Sequence, residues 1–203
     1  MKFIPDDSIR KKEINEQGTK INFLDEKVVV SFKIDKTAVK YLPEVTDSDL
    51  ETKREKYRVL LGKIIQYRPK AVKIVINGIL ELKKNEPQYY TEGTNEIHSI
   101  DIPALQKLVT KIQGENPEFK QYDLIGEIHT HPIIPNKLSQ NQHPCDPSDG
   151  DVGSISDHYE RNVLKPDEPF IFGIAGRGEN GQTEYAFYRL IKKDGRYEVR
   201  SLN

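Results

Sequence analysis

Apolar residues recur along the chain with two periods, and where one gives way to the other marks a series of strands broken by helices. Val28 to Ile34 and Ala71 to Leu82 are rich in β-branched and apolar residues, as strands are, and Asn77-Gly78 inside the second marks a bulge. Asp35 to Leu42 reads as the start of a helix that Pro43 ends. Thr46 to Arg54 is polar and charged, a helical turn or a loop leading to a strand that begins at Glu55. Glu86 to Ile97, bearing Tyr and Gly, reads as an insertion or loop.

In the second half, Leu105, Leu108, Val109 and Ile112 recur at i, i+3, i+4 and i+7. With Asp101 ahead, Pro103 in the first turn and Gly114 behind, they predict an amphipathic helix. Tyr122 to Ile128 is short, apolar and bounded by turn formers, so His129 and His131 fall on or at the end of a strand. Ser148-x-x-Asp151 before Val152, Ile155 and Tyr159 has the form of a capping box and starts a further helix. Phe170 to Ala175 reads as a buried strand. Tyr185 to Ile191 and Arg196 to Ser201 read as a hairpin around Asp194-Gly195.

The chemistry concentrates where these last elements meet. Side chains two apart on a strand share a face roughly 7 Å apart, so the rings of His129 and His131 can turn toward one ion. A helix N-terminus can hold Asp151 as third ligand and leave the Ser148 hydroxyl facing the site. Three protein ligands plus a water make a catalytic zinc centre, whereas a closed structural site needs four. Two strand-surface histidines and a plain helix cap are the bland alternative.

His129-x-His131-Pro132 followed by Pro147-Ser148-x-x-Asp151 resembles the signature of the JAMM (JAB1/MPN/Mov34) metallopeptidases. The family's earlier pattern, Glu-x-x-Gly-x-Leu-x-Gly, is met by Glu55 to Gly62 at the glutamate, the leucine and the second glycine, with Arg58 in place of the first glycine. The resemblance spans roughly residues 28 to 192 and is strongest for small bacterial members of the family. It implies an α/β, cytidine-deaminase-like MPN fold, a mixed and mostly antiparallel sheet flanked by helices, in a domain over residues 28–203 behind an N-terminal arm or added strand at 1–27.

It also implies a zinc-dependent peptidase or isopeptidase with His129, His131 and Asp151 on the metal. Glu55 would be the proton carrier and Ser148 the donor to the developing oxyanion. The partner is then a protein or peptide substrate, a ubiquitin-like conjugate among them. Zinc lowers the pKa of its water to about 7. A general base is worth about 10²- to 10⁴-fold, and one oxyanion donor about 10²- to 10³-fold.

Glu127 competes with Glu55 for the role of base, because it shares the strand face of the two histidines; the motif favours Glu55. The segment from Ile133 to Asp146 is long and carries His143-Pro144-Cys145. It reads as a polar lid with an incidental thiol rather than a second metal site. A catalytically inactive scaffold of the same family is the alternative function. The DNA-repair-associated branch is disfavoured, because Thr130 stands where that branch carries Asn.

Composition narrows the classes. Lys+Arg 31 against Asp+Glu 32 gives no overall attraction to nucleic acid. The 203 residues suit one domain, and 35% hydrophobic residues with a mean hydropathy of −0.69 make it a polar one. No apolar run is long enough to span a membrane, and Met1 to Asp7 lacks a signal-peptide core. One cysteine permits no internal disulfide, which fits a reducing cytoplasm.

Overall fold

The computed structural model describes residues 21–53, 55–68, 70–82, 90–92, 97–133, 138 and 142–202. The arm through residue 20, part of the Glu86–Ile97 stretch and part of the Ile133–Asp146 loop lie outside them.

The main sheet is built from β1 (Val29–Ile34), β2 (Tyr57–Arg68), β3 (Ala71–Glu81), β6 (Asp123–His131), β7 (Ile171–Arg177), β8 (Thr183–Lys193) and β9 (Arg196–Ser201). Their order in space is β1-β3-β2-β6-β7-β8-β9. The β1–β3 and β6–β7 pairs are parallel and the other four antiparallel. A separate hairpin of β4 (Tyr90–Glu92) and β5 (Ile97–Ile100) occupies part of the stretch expected to be a loop. The helices are α1 (Asp47–Thr52), α2 (Ile102–Glu115) and α3 (Asp149–Glu160).

This corrects the expected fold class. The α/β, cytidine-deaminase-like MPN arrangement, a sheet flanked by helices, is not what the chain forms: it is mostly β, a seven-stranded mixed sheet curled into a half-barrel. The physical reason lies in how the two faces are covered. Ile102, Leu105 and Val109 of α2 and Ile155 and Tyr159 of α3 join one apolar cluster, with Val59 and Leu61 of β2 and Phe172 and Ile174 of β7. The opposite cluster joins Leu60, Ile74, Ile76, Ile128, Ile171 and Phe187 with Ile21, Phe23 and Val28, and takes nothing from α2 or α3. The curl of the sheet and the segment from Ile21 to Val28 cover that face without an α-helix.

Irregular pairing supplies the curl. Pairing of β2 with β3 skips Asn77, as the Asn77-Gly78 bulge predicts, and β2 shifts again against β6 between Leu60 and Leu61. Bulges bend a strand and add twist. At Gly126 a Cβ would run into the backbone of Ile171 on β7, so only glycine lets β6 and β7 lie this close.

Local chemistry explains most element ends. Thr46 caps α1 in a reciprocal box with Asp49, and the Asp101 side chain accepts the Ala104 N–H at 2.8 Å to start α2. Asp194 and Gly195, both at positive φ, make the two-residue turn between β8 and β9. The helix expected from Asp35 to Leu42 forms only a 3-10 turn at Val39–Tyr41. The Asp35 carboxylate accepts from the Thr37 N–H and hydroxyl and holds the chain in a turn instead.

Candidate metal centre

β6 runs down the middle of the sheet between β2 and β7, and every residue from Ile125 to His131 is buried. Parallel neighbours need a crossover, and α3 lies in the one that joins β6 to β7. That connection sets the α3 N-terminus beside the C-terminal end of β6, where the histidines sit.

Three ligand atoms meet there. His129 Nε2 lies 3.1 Å from Asp151 Oδ1 and 3.1 Å from His131 Nε2, and His131 Nε2 lies 3.3 Å from Asp151 Oδ2. Ligands about 2.0–2.1 Å from zinc at tetrahedral angles are about 3.3–3.4 Å apart; each of the three approaches is close to that spacing, with Asp151 turning a different oxygen to each imidazole. Among the described residues this is the one group of three or more His, Cys, Asp or Glu side chains that converges in this way. The donor set, two imidazoles and a carboxylate, suits zinc.

Asp151 reaches the site because it is the third residue of α3. Its Oδ2 accepts from the Ser148 backbone N–H at 2.7 Å and from the Ser148 hydroxyl at 2.8 Å, while the Ser148 oxygen accepts the Asp151 N–H at 3.2 Å. Cap and ligand position are therefore one structure. Ser148 is exposed, and its hydroxyl hydrogen is directed at Asp151.

Two buried neighbours complete the surroundings of His129. Glu127 Oε2 lies 3.1 Å from its Nδ1, and the Tyr57 ring stacks on the imidazole with centroids 4.9 Å apart and planes at 12°. Burial works against a charged imidazole, yet the Glu127 and Asp151 carboxylates outweigh it and hold the His129 pKa well above its ordinary value. Burial pushes the Asp151 carboxyl up, and hydrogen bonds from His129 and His131 more than reverse this, leaving it well below its usual range. The Tyr57 hydroxyl is raised well above its usual value by burial and then by Glu127, Glu55 and Asp151.

Glu55 stands just before β2. Tyr57 pairs with His129, and the ladder continues one residue further through Lys56 and Thr130, whose backbone N–H groups each bond to the other residue. Glu55 precedes Tyr57 by two residues, and its carboxylate is near enough to help raise the Tyr57 hydroxyl. Glu55 is not one of the three converging side chains.

The His143-Pro144-Cys145 segment is not the polar stretch with an incidental thiol that the sequence suggests. Cys145 is fully buried; its Sγ donates to the Glu184 carbonyl at 3.2 Å and its own carbonyl accepts the Tyr188 hydroxyl at 3.0 Å. His143 pairs instead with Glu184, Nε2 to Oε2 3.0 Å. The part of the loop expected to act as a lid lies outside the described residues.

Tyr57 and Thr130 are site residues that sequence reasoning missed. Each is within two residues in sequence of a predicted site residue, Tyr57 of Glu55 and Thr130 of both histidines, which is the signal that could have found them. Among the described residues no helix is long and apolar enough to cross a membrane. No protein-family model and no curated protein matches the chain.

Proposed function

We propose that the chain is a zinc-dependent hydrolase of peptide or isopeptide bonds, with a JAMM-like ligand set carried on a different sheet architecture. One observation carries the reading: three side chains able to ligate a metal converge from two elements, each imidazole nitrogen 3.1–3.3 Å from an Asp151 oxygen and 3.1 Å from the other imidazole nitrogen. Bringing two rings and a carboxylate together in a nearly dry site costs desolvation, and a divalent cation on His129, His131 and Asp151 offsets it. Zinc held there would supply a water acidified to a pKa of about 7 and a Lewis acid for a carbonyl oxygen.

Glu55 takes the proton of the attacking water and passes it to the leaving amine, the task for which a carboxylate beside the ligands but not among them is suited. The Ser148 hydroxyl steadies the charge that grows on the carbonyl oxygen. To do so it exchanges its bond to Asp151 for one to the substrate. The substrate class is a protein or peptide, with the tail of a ubiquitin-like conjugate as one form.

A metal-free scaffold is the second reading, favoured by one feature: protonated His129 between Glu127 and Asp151 would form a buried ion triad without a cation. Zinc analysis of the purified protein, together with cleavage of a panel of peptide- and isopeptide-linked fluorogenic substrates, separates the two. Zinc at about one per chain with chelator-sensitive cleavage supports the hydrolase. Absence of both leaves the scaffold.

A further inference from the structure

We propose that Glu127 is the positioning residue of this centre: it holds His129 as the Nδ1–H tautomer, so that the Nε2 lone pair faces the metal and His129 becomes the anchoring ligand. The inference rests on the reading that His129, His131 and Asp151 hold a cation. Residues 127 and 129 are two apart on β6 and share a face, so a carboxylate there can reach back to the near side of the ring. Both its oxygens lie close to His129 Nδ1, at 3.1 and 3.4 Å, and both side chains are almost fully buried.

A carboxylate accepts and cannot donate, so the proton between them belongs to Nδ1. With a cation bound, Nε2 would then be bare on the side where His131 Nε2 and Asp151 Oδ1 lie, each 3.1 Å away. Carboxylate–imidazole–metal arrangements of this kind fix ring orientation and raise the basicity of the ligand. Tyr57, stacked flat on the ring, removes the remaining rotation.

The two histidines are unequal for this reason. His131 Nδ1 is buried with no hydrogen-bond partner among the described residues. Nothing on that side selects its tautomer or stiffens its ring, so His131 is the looser ligand. The same geometry takes Glu127 out of the competition for general base. A base must reach the water's proton, and both Glu127 oxygens are directed at the imidazole.

The test is zinc affinity by chelator competition, with ¹⁵N chemical shifts of the histidine rings as a readout independent of turnover. In zinc-loaded wild-type protein His129 is expected to carry its proton on Nδ1. Glu127→Leu should bind zinc about 10- to 100-fold more weakly while still taking up one equivalent at saturation. Glu127→Gln, whose amide oxygen still accepts, should fall between the two. Wild-type affinity in both variants overturns the positioning role and leaves the metal reading standing. Should Glu127→Leu fail to fold, Glu127→Gln and the wild-type ring shifts decide alone, since a zinc-loaded His129 protonated on Nε2 overturns the proposal. A wild-type protein that takes up no zinc overturns the proposal together with the reading it rests on.

Discussion

Lys56 and Thr130 hold each other across the end of the β2–β6 ladder: the Lys56 N–H donates to Thr130 Oγ1 at 2.8 Å, and the Thr130 N–H donates to the Lys56 carbonyl at 3.0 Å. Thr130 stands between the two histidines, and Lys56 stands between Glu55 and Tyr57. One residue pair therefore ties the segment carrying the proposed base to the strand carrying two of the proposed ligands. Thr130→Val keeps the shape and removes the acceptor from a buried position, at a cost of about 1–3 kcal/mol. Zinc content should stay near wild type while turnover falls by about 10²-fold, the penalty of a catalytic group displaced by about 1 Å. Unchanged turnover would show that Glu55 does not depend on this register.

Metal content checks the ligands directly. Wild-type protein is expected to hold about one zinc per chain; His129→Ala, His131→Ala and Asp151→Ala should each lose most of it. In the metal-free protein the proton on His129 is held well above the ordinary pKa. Zinc must displace that proton, so its apparent affinity should climb through the neutral range as pH rises and fall as pH drops. An affinity flat between pH 6 and 8 would exclude His129 from the ligand set.

Glu55→Gln removes proton transfer and leaves His129, His131 and Asp151 in place. Zinc binding should be retained and turnover should drop by about 10²- to 10⁴-fold. Full turnover in this variant would remove Glu55 from the mechanism.

Features that depend on local pattern were legible in the sequence, and features that depend on distant contacts were not. The strands at Val29–Ile34, Ala71–Glu81 and Ile171–Arg177 follow from apolar runs, and the α3 cap from Ser148 and Asp151 at the spacing of a capping box. His129, His131 and Asp151 could be named together because strand period and helix start fix where each side chain falls. The fold class could not. The bulge at Asn77-Gly78 was visible locally, but the curl of the sheet also depends on strand order, which results from pairing between segments far apart, such as Gly126 against Ile171. Glu127 was visible on the histidine face, but only the 3.1 Å approach to Nδ1 separates a positioning group from a base. Cys145 read as incidental to a polar lid because its partners, Glu184 and Tyr188, are about forty residues away in sequence.

Cys145 should be chemically silent in the folded protein. Burial pushes its thiol up to about 11, and the side chain has no exposed surface. At pH 8 that leaves roughly one thiolate in a thousand, and the thiolate is the reactive species. Alkylation of native protein should be at least about 100-fold slower than alkylation after denaturation, with or without zinc. Rapid labelling of the native form would mean that the His143–Asp146 segment opens readily.

Asp49 ties α1 to the segment carrying Glu55, because its Oδ2 lies 2.6 Å from Lys56 Nζ and also accepts from the Thr46 N–H and hydroxyl. Burial pushes its carboxyl up, but the hydrogen bonds from Lys56 and Thr46 win and leave its pKa below the ordinary value of 3.8. A carboxylate with a depressed folded-state pKa contributes stability that is fully present above its unfolded pKa of about 3.9, and loses it as pH falls through the lower folded value. Asp49→Asn should therefore cost about 1–3 kcal/mol at pH 7. The gap from wild type should be constant between pH 7 and 5 and should narrow below about pH 4 as the wild-type carboxylate takes up its proton. Urea denaturation at pH 7, 5 and 3 measures it directly; a gap as large at pH 3 as at pH 7 would mean that the side chain acts through shape rather than through charge.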